Sequence, residues 1–337
     1  MTSNVRRSRR SILRKAILEP YTYLLEVPGK DIRTTLISAF NSWLNVPRRE
    51  CCLISSVVNM LHNASLMIDD IEDNSDLRRG RPAAHIIYGI PKTINAANHV
   101  YFLAYQELLR LFELSSTANM ERMNGTSHQS TALPDSQQRL YSVAHLHSIV
   151  TAELLNLHRG QGLEIIWRDS LQCPTEAEYL GMVGNKTGGL FRLAIKLLMA
   201  CSTTNTNVDY IPLVNLLGNY FQVRDDYMNL DSPKYAEGKG FAEDFTEGKF
   251  SFPIIHGIRA DQSDRTIIDI LEKRPTSPTY KVHAITYLKS TTKSFEYTHG
   301  VLQKLEKQIM TEIGLLGGNE HLSVLLNCLR VPTLLNE

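Results

Sequence analysis

Two acidic clusters carry the residues best suited to chemistry. Asp69-Asp70-Ile71-Glu72-Asp73 closes a strongly apolar helical stretch, and Asp69 and Asp73, four residues apart, project from one helix face. Like charges at that spacing repel, so the pair costs stability unless a cation compensates it. Hard oxygen donors suit Mg²⁺, which retains several waters and is commonly shared with substrate phosphates. A lone acidic run is more often a solvated helix end. Here Asp225-Asp226-Tyr227-Met228-Asn229 repeats the arrangement near the end of another apolar helix, again with oxygen side chains four apart. Cations without adjacent acids follow each cluster: Arg78-Arg79-Gly80-Arg81, Lys186-Thr187-Gly188-Gly189, Lys239 and Lys249. Facing carboxylates with scattered Lys and Arg make a cage for Mg²⁺ and multiply charged phosphates, the guanidinium forks supplying bidentate contacts.

The elements that must position these groups are helical. Apolar residues recur at helical spacing, as in Val57, Val58, Leu61, Ala64 and Ile68, and strict two-residue alternation is rare, which predicts an all-α fold. The pattern places helices at about 31–45, 49–75, 93–113, 137–168, 175–201 and 208–231, with shorter ones to the C-terminus. Between Ser115 and Gln138 the chain is rich in Ser, Thr, Asn and Gln and holds Gly125 and Pro134, so a flexible polar loop is expected there. A Gly-containing segment from Glu237-Gly238-Lys239-Gly240 to Gly248-Lys249 interrupts the pattern after the 208–231 helix. Residues 1–20 read as a basic N-terminal segment and 21–337 as a single domain.

Composition narrows the function classes. In 337 residues, Lys+Arg total 36 against 35 Asp+Glu, a formal charge of +1 that offers no global attraction to nucleic acid or an acidic membrane. No uninterrupted apolar run reaches the roughly 20 residues of a membrane span. Arg6, Arg7, Arg9, Arg10, Arg14 and Lys15 precede the first acid, Glu19; without a secretory signal's apolar core they read as a basic tail or first helix, an organellar transit peptide being the alternative. Five cysteines without a Cys-x-x-Cys pair indicate reduced thiols and a cytoplasmic protein. Lys186-Thr187-Gly188-Gly189 lacks the strand and spacing of a nucleotide-binding phosphate loop, and its glycines suit helix bending or close packing.

The ordered set of motifs resembles the trans-isoprenyl diphosphate synthases, within them the geranylgeranyl diphosphate synthases of fungi and animals. It runs from about Pro28 to Pro253 through Leu61-His62-Asn63, the first acidic cluster with Leu77-Arg78-Arg79-Gly80, Leu157-His158-Arg159-Gly160-Gln161-Gly162, Asn185-Lys186-Thr187-Gly188-Gly189, Gln222-Val223-Arg224-Asp225-Asp226-Tyr227 and Glu247-Gly248-Lys249-Phe250-Ser251-Phe252-Pro253. The resemblance implies a helical bundle around a deep cavity, usually in a homodimer, that condenses isopentenyl diphosphate with dimethylallyl, geranyl or farnesyl diphosphate. It implies that Asp69, Asp73 and Asp225 ligate Mg²⁺, as three ions with substrate bound. It assigns the allylic diphosphate to Arg78, Lys186, Thr187, Gln222, Asn229, Lys239 and Lys249, and isopentenyl diphosphate to Lys30, Arg33, His62 and Arg79. Alone, a histidine on an apolar helix such as His62 would more often be a core residue. Product length is implied to depend on the small Ala64 and Ser65 before Asp69 and on a floor of Tyr101, Phe102 and His158. Asn229 departs from the family-wide Asp but agrees with the eukaryotic geranylgeranyl branch. Two other functions compete. A class I terpene cyclase shares the Asp-rich motif but pairs it with an Asn/Ser/Glu motif, which is missing at Asp225 to Asn229. A silent subunit of another synthase would not need both acidic motifs intact.

Overall fold

The structure, a computed structural model, describes residues 2–29, 31–124, 142–202, 204–231 and 240–331, with side chains described at residue 13, 15–29, 31–114 and throughout the later segments. It is all-α apart from one two-residue hairpin. The helices are α1 (Thr2–Leu25), α2 (Ile32–Leu44), α3 (Arg48–Glu72), α4 (Ala84–Tyr88), α5 (Ile90–Asn124), α6 (Val143–Ser170), α7 (Glu176–Cys201) and α8 (Ile211–Asp231), followed by α9 (Glu243–Glu247), α10 (Phe252–Ala260), α11 (Thr266–Lys273), α12 (Pro278–Ser290), α13 (Ser294–Leu315) and α14 (Glu320–Leu329).

Capping chemistry fixes several starts. Ser142 accepts from the His145 N–H at the head of α6, and Thr175 with Glu178 forms a reciprocal capping box at the head of α7. Helix α7 is the axis of the bundle, packed between α6 and α8 and also touching α2 and α3. Its buried residues, from Tyr179 through Leu190, Leu193 and Leu197 to Cys201, cover nearly every face, as a helix surrounded by others requires. Close approach is built in by glycine. A Cβ on Gly160 of α6 would lie 2.5 Å from the Lys186 nitrogen of α7, and one on Gly218 of α8 would lie 3.1 Å from Gly188 Cα. The turn of α7 that carries Lys186 and Thr187 is therefore held at near backbone contact from both sides.

Three features go beyond the sequence reading. Helix α5 continues to Asn124, so residues 115–124 are helical where a loop was predicted. That stretch holds Ala, Met, Glu and Arg and no helix breaker before Gly125, enough for a long packed helix to propagate despite its polarity. Residues 125–141, the rest of the predicted loop, lie outside the described residues. Second, Leu77-Arg78 pairs antiparallel with Arg81-Pro82, and the two turn residues, Arg79 (φ 55°) and Gly80 (φ 75°), both adopt positive φ, the geometry of tight two-residue hairpins. Third, α3 is long and apolar enough, by length and composition alone, to cross a membrane. In the bundle it packs against α2, α5 and α7. Helix α1 continues beyond residue 20, setting Leu18, Tyr21 and Leu24 against a small cluster of α3 and α5 residues.

Candidate active site

The helices enclose a cavity of about 1010 Å³. Asp69 and Glu72 line it from α3, Gln161 and Glu164 from α6, Lys186 and Thr187 from α7, and Asp225, Asp226 and Asn229 from α8. The two acidic clusters thus open into one space.

On the first wall, the carboxylate oxygens of Asp69, Asp73 and Glu164 lie within 4.8 Å of one another, a set of hard donors that suits a divalent cation. Cations crowd this cluster. Lys186 Nζ stands 3.2 Å from Asp69 Oδ1 and pairs with Glu164. Burial alone would lower its ammonium, but Glu164 and Asp69 outweigh this and hold it above the ordinary lysine value. Asp73 is buried between Arg168, 2.9 Å from its Oδ1, and Lys249, which bonds Oδ2. Burial pushes the Asp73 carboxyl up to about 6, against the opposing pull of Lys249. Lys249 also meets Glu247 Oε2 at 2.9 Å. Arg168 donates in addition to the Glu72 carbonyl at 3.1 Å, tying the end of α3 to α6.

The second aspartate of each cluster is engaged by the protein itself, Asp70 off the cavity and Asp226 at its lining. Asp70 accepts from Arg78 Nε at 2.7 Å, and Arg78 also reaches Asp69 Oδ2 at 3.2 Å, so the hairpin arginine orients the Asp69 carboxylate. Asp226 accepts from Gln222 Nε2 at 2.7 Å, from the Phe252 N–H at 2.8 Å and from the Tyr179 hydroxyl. Burial pushes it up to about 6, these hydrogen bonds opposing the rise. Gln222 in turn accepts from Thr187 Oγ1 at 2.6 Å, linking α7 to the second wall. Asn229 Oδ1 accepts from the Asp244 N–H at 3.3 Å.

A second cationic region lies deeper. Arg33, His62 and Arg79 all line the cavity. Arg79 donates to the Val27 carbonyl at 2.6 Å and to Asn63 Oδ1 at 3.1 Å, fastening the α1–α2 connection to α3. Arg33 has its guanidinium carbon 5.4 Å from the Phe191 ring centroid, and its buried Nε has no hydrogen-bond partner among the described residues. Burial and Arg79 lower it to about 10, against Asp225 and Asp31. His62 is held well below its usual value by burial, then by Arg33 and Arg79, so it is neutral. Lys30 and Lys239 lie outside the described residues.

Of the residues expected to set product length, Ser65, Tyr101 and His158 line the cavity. The Tyr101 and His158 rings approach to 6.0 Å between centroids, and His158 Nδ1 is 2.8 Å from the Leu154 carbonyl. Two expectations fail. Ala64 is fully buried with Leu24, Ala96, Ala97 and Val100, toward α1 and α5, and Phe102 is 74% exposed on the outside of α5. Consecutive helix positions point about 100° apart, so neither Ala64 with Ser65 nor Tyr101 with Phe102 can share one facing. Sequence reasoning missed Glu164, Arg168 and Tyr179. Glu164 stands three residues after Gln161, on the same helix face, and that spacing was the available signal; Gln161 Nε2 meets Glu72 Oε2 at 2.8 Å.

The polyprenyl synthetase family model matches residues 14–288. The chain belongs to that family. Its all-α architecture is that of a prenyltransferase. The chain is 53% identical over 320 residues to a geranylgeranyl pyrophosphate synthase of Hericium erinaceus, covering 94% of this chain and 92% of the relative. It is 50% identical over 315 residues to a geranylgeranyl pyrophosphate synthase of Mucor circinelloides f. lusitanicus, covering 94% and 93%. It is also 47% identical over 309 residues to IDS-like terpene synthase 1 of Melampsora lini, covering 92% and 87%.

Proposed function

We propose that this prenyltransferase is a magnesium-dependent geranylgeranyl diphosphate synthase, condensing isopentenyl diphosphate head-to-tail with dimethylallyl, geranyl or farnesyl diphosphate. The observation that carries the reading is one cavity of about 1010 Å³ lined by residues of both acidic clusters, by Arg33, His62 and Arg79, and by Ser65, Tyr101 and His158. Asp69, Asp73 and Asp225 would hold Mg²⁺, as three ions with substrate bound, and Glu164 lies in one ligand cluster with Asp69 and Asp73. When bound, the metal neutralises charge on the leaving diphosphate.

The residues divide the remaining work. Arg78, Lys186, Thr187, Gln222, Asn229, Lys239 and Lys249 hold the allylic diphosphate, Lys186 exchanging its Glu164 and Asp69 contacts for phosphate oxygens. Lys30, Arg33, His62 and Arg79 hold isopentenyl diphosphate; the unpartnered Arg33 Nε is a donor ready for it. Breaking the allylic C–O bond leaves a carbocation and diphosphate, which the surrounding cations stabilise. The isopentenyl double bond attacks the cation, a C–C bond forms, and the proton then lost goes to the departing diphosphate, so no side-chain base is required.

The terpene synthase relative gives a second reading, in which an allylic diphosphate ionises and cyclises without a partner. Arg33, His62 and Arg79 favour elongation, because a cyclase needs no second diphosphate pocket. Mass spectrometry of products from purified protein, Mg²⁺, isopentenyl diphosphate and each allylic starter tests the choice. Geranylgeranyl diphosphate is the expected product; a cyclic hydrocarbon formed without isopentenyl diphosphate would overturn it.

A homodimer suits the surface, where α5 exposes Phe102 (74%) and Leu109 (41%) and α6 exposes Leu155 (51%) and Ile166 (58%). Light scattering at twice the chain mass would support pairing, and a monomer would refute it. A cytoplasmic setting suits a chain whose five cysteines hold no Cys-x-x-Cys pair.

A further inference from the structure

Ser251 stands at the N-cap of α10, where a serine ordinarily accepts from the backbone of the first turn, yet its side chain makes no cap hydrogen bond. The residue is 4% exposed, and its Oγ has no hydrogen-bond partner among the described residues. It also lines the cavity. A buried hydroxyl facing a site without a partner carries an uncompensated desolvation cost, and such groups call for a ligand or an ordered water.

The surroundings decide which ligand. The adjacent Phe252 N–H donates to Asp226 Oδ2 at 2.8 Å, placing Ser251 against the second acidic wall. Asp225, Asn229 and Asp244 line the same cavity, and the Asp244 N–H donates to Asn229 Oδ1 at 3.3 Å. A wall with three carboxylates disfavours direct contact with a phosphate oxygen and favours a hydrated cation. Mg²⁺ keeps several of its waters when protein-bound, and those waters are strong donors. A serine hydroxyl offers two acceptor lone pairs.

We propose that Ser251 Oγ accepts a hydrogen bond from a water on the Mg²⁺ ion held at Asp225, making it a binding residue of the second wall. The inference rests on the reading of Asp225 as a magnesium ligand. It carries an unusual signature. Removing the hydroxyl should weaken the metal response without harming the metal-free fold, because no described residue bonds it there. A purely structural serine would behave in the opposite way.

The test uses full-length wild type, Ser251→Ala and Asp225→Ala. Thermal unfolding is followed across a Mg²⁺ titration at fixed inorganic diphosphate, and the Mg²⁺ dependence of turnover is measured beside it. Ser251→Ala should need about 2- to 13-fold more Mg²⁺ for half-maximal stabilisation, the range of one net hydrogen bond, with a metal-free Tm equal to or above wild type. An unchanged Mg²⁺ midpoint, or a lowered metal-free Tm, would overturn the proposal. Asp225→Ala separates this from the parent reading: if its midpoint also matches wild type, the metal assignment of Asp225 is what fails.

Discussion

Replacing Gly160 by alanine should disable the site from behind. The added methyl would lie 2.5 Å from the Lys186 nitrogen, 2.9 Å from Lys186 Cβ and 2.9 Å from the Met182 carbonyl oxygen, where ordinary contact begins at 3.4 Å. Helix α7 must therefore retreat by nearly an ångström at the turn bearing Lys186 and Thr187. Overpacking of this kind costs about 1–3 kcal/mol, of which about 1 kcal/mol is returned by the better helix propensity of alanine. Stability should fall by no more than about 2 kcal/mol. Activity should suffer more, since misplacing a catalytic group by about 1 Å can cost about 100-fold. Steady-state kinetics at saturating isopentenyl diphosphate, with circular dichroism as the fold check, measures this. Gly162→Ala is the internal control: it lies on the same helix two residues away, and its methyl meets no described atom within 4 Å, so it should keep full activity. Equal activity of the two variants would refute the close-packing argument.

Asp69→Ala, Asp73→Ala and Asp225→Ala should each lower turnover by orders of magnitude with an unchanged helical spectrum; near-normal activity in any of them would remove that residue from the ligand set. Burial raises the Asp73 carboxyl from 3.8 to about 6, so its protonated form favours the fold at low pH and that contribution is lost as pH rises through about 6. Correspondingly, Mg²⁺ affinity from titrations at stepped pH should weaken below about 6, and a flat profile would contradict the ligand role. Arg33→Ala should raise the Michaelis constant for isopentenyl diphosphate about tenfold or more and Lys249→Ala that for the allylic substrate, whereas equal effects on both would merge the two pockets. Ser65→Phe should shorten the product and Tyr101→Ala with His158→Ala should lengthen it. Ala64→Phe, buried against α1 and α5, should instead destabilise the protein by about 1–3 kcal/mol or more; the product distribution by mass spectrometry and the melting temperature read the two effects separately.

Much of this site was legible because its chemistry imposes spacing. Oxygen donors four apart at the ends of two apolar helices announced the facing walls, and the structure brings Asp69, Asp225, Lys186, Thr187 and Gln222 into one cavity. What escaped depended on helical phase and on partners far apart in sequence. Composition could not tell that Tyr101 faces inward while Phe102 faces outward, because both suit a buried helix. Nor could it show that Asp226, at the cavity wall, is held by Tyr179 and the Phe252 N–H, or that Arg168 closes over Asp73 across 95 residues of chain. The hairpin at Arg78–Arg81 left only a Gly80 as its signal. Helix α5 overran its predicted end because a long packed helix propagates through polar residues that hold no breaker.

The central claim is that one cavity holds two diphosphates and couples their substrates. It is tested most directly by following diphosphate release from farnesyl diphosphate in the presence of Mg²⁺, with and without radiolabelled isopentenyl diphosphate. The account predicts release only when isopentenyl diphosphate is present, with one label entering geranylgeranyl diphosphate for each diphosphate freed. Release of diphosphate without isopentenyl diphosphate, accompanied by an unlabelled hydrocarbon, would contradict it.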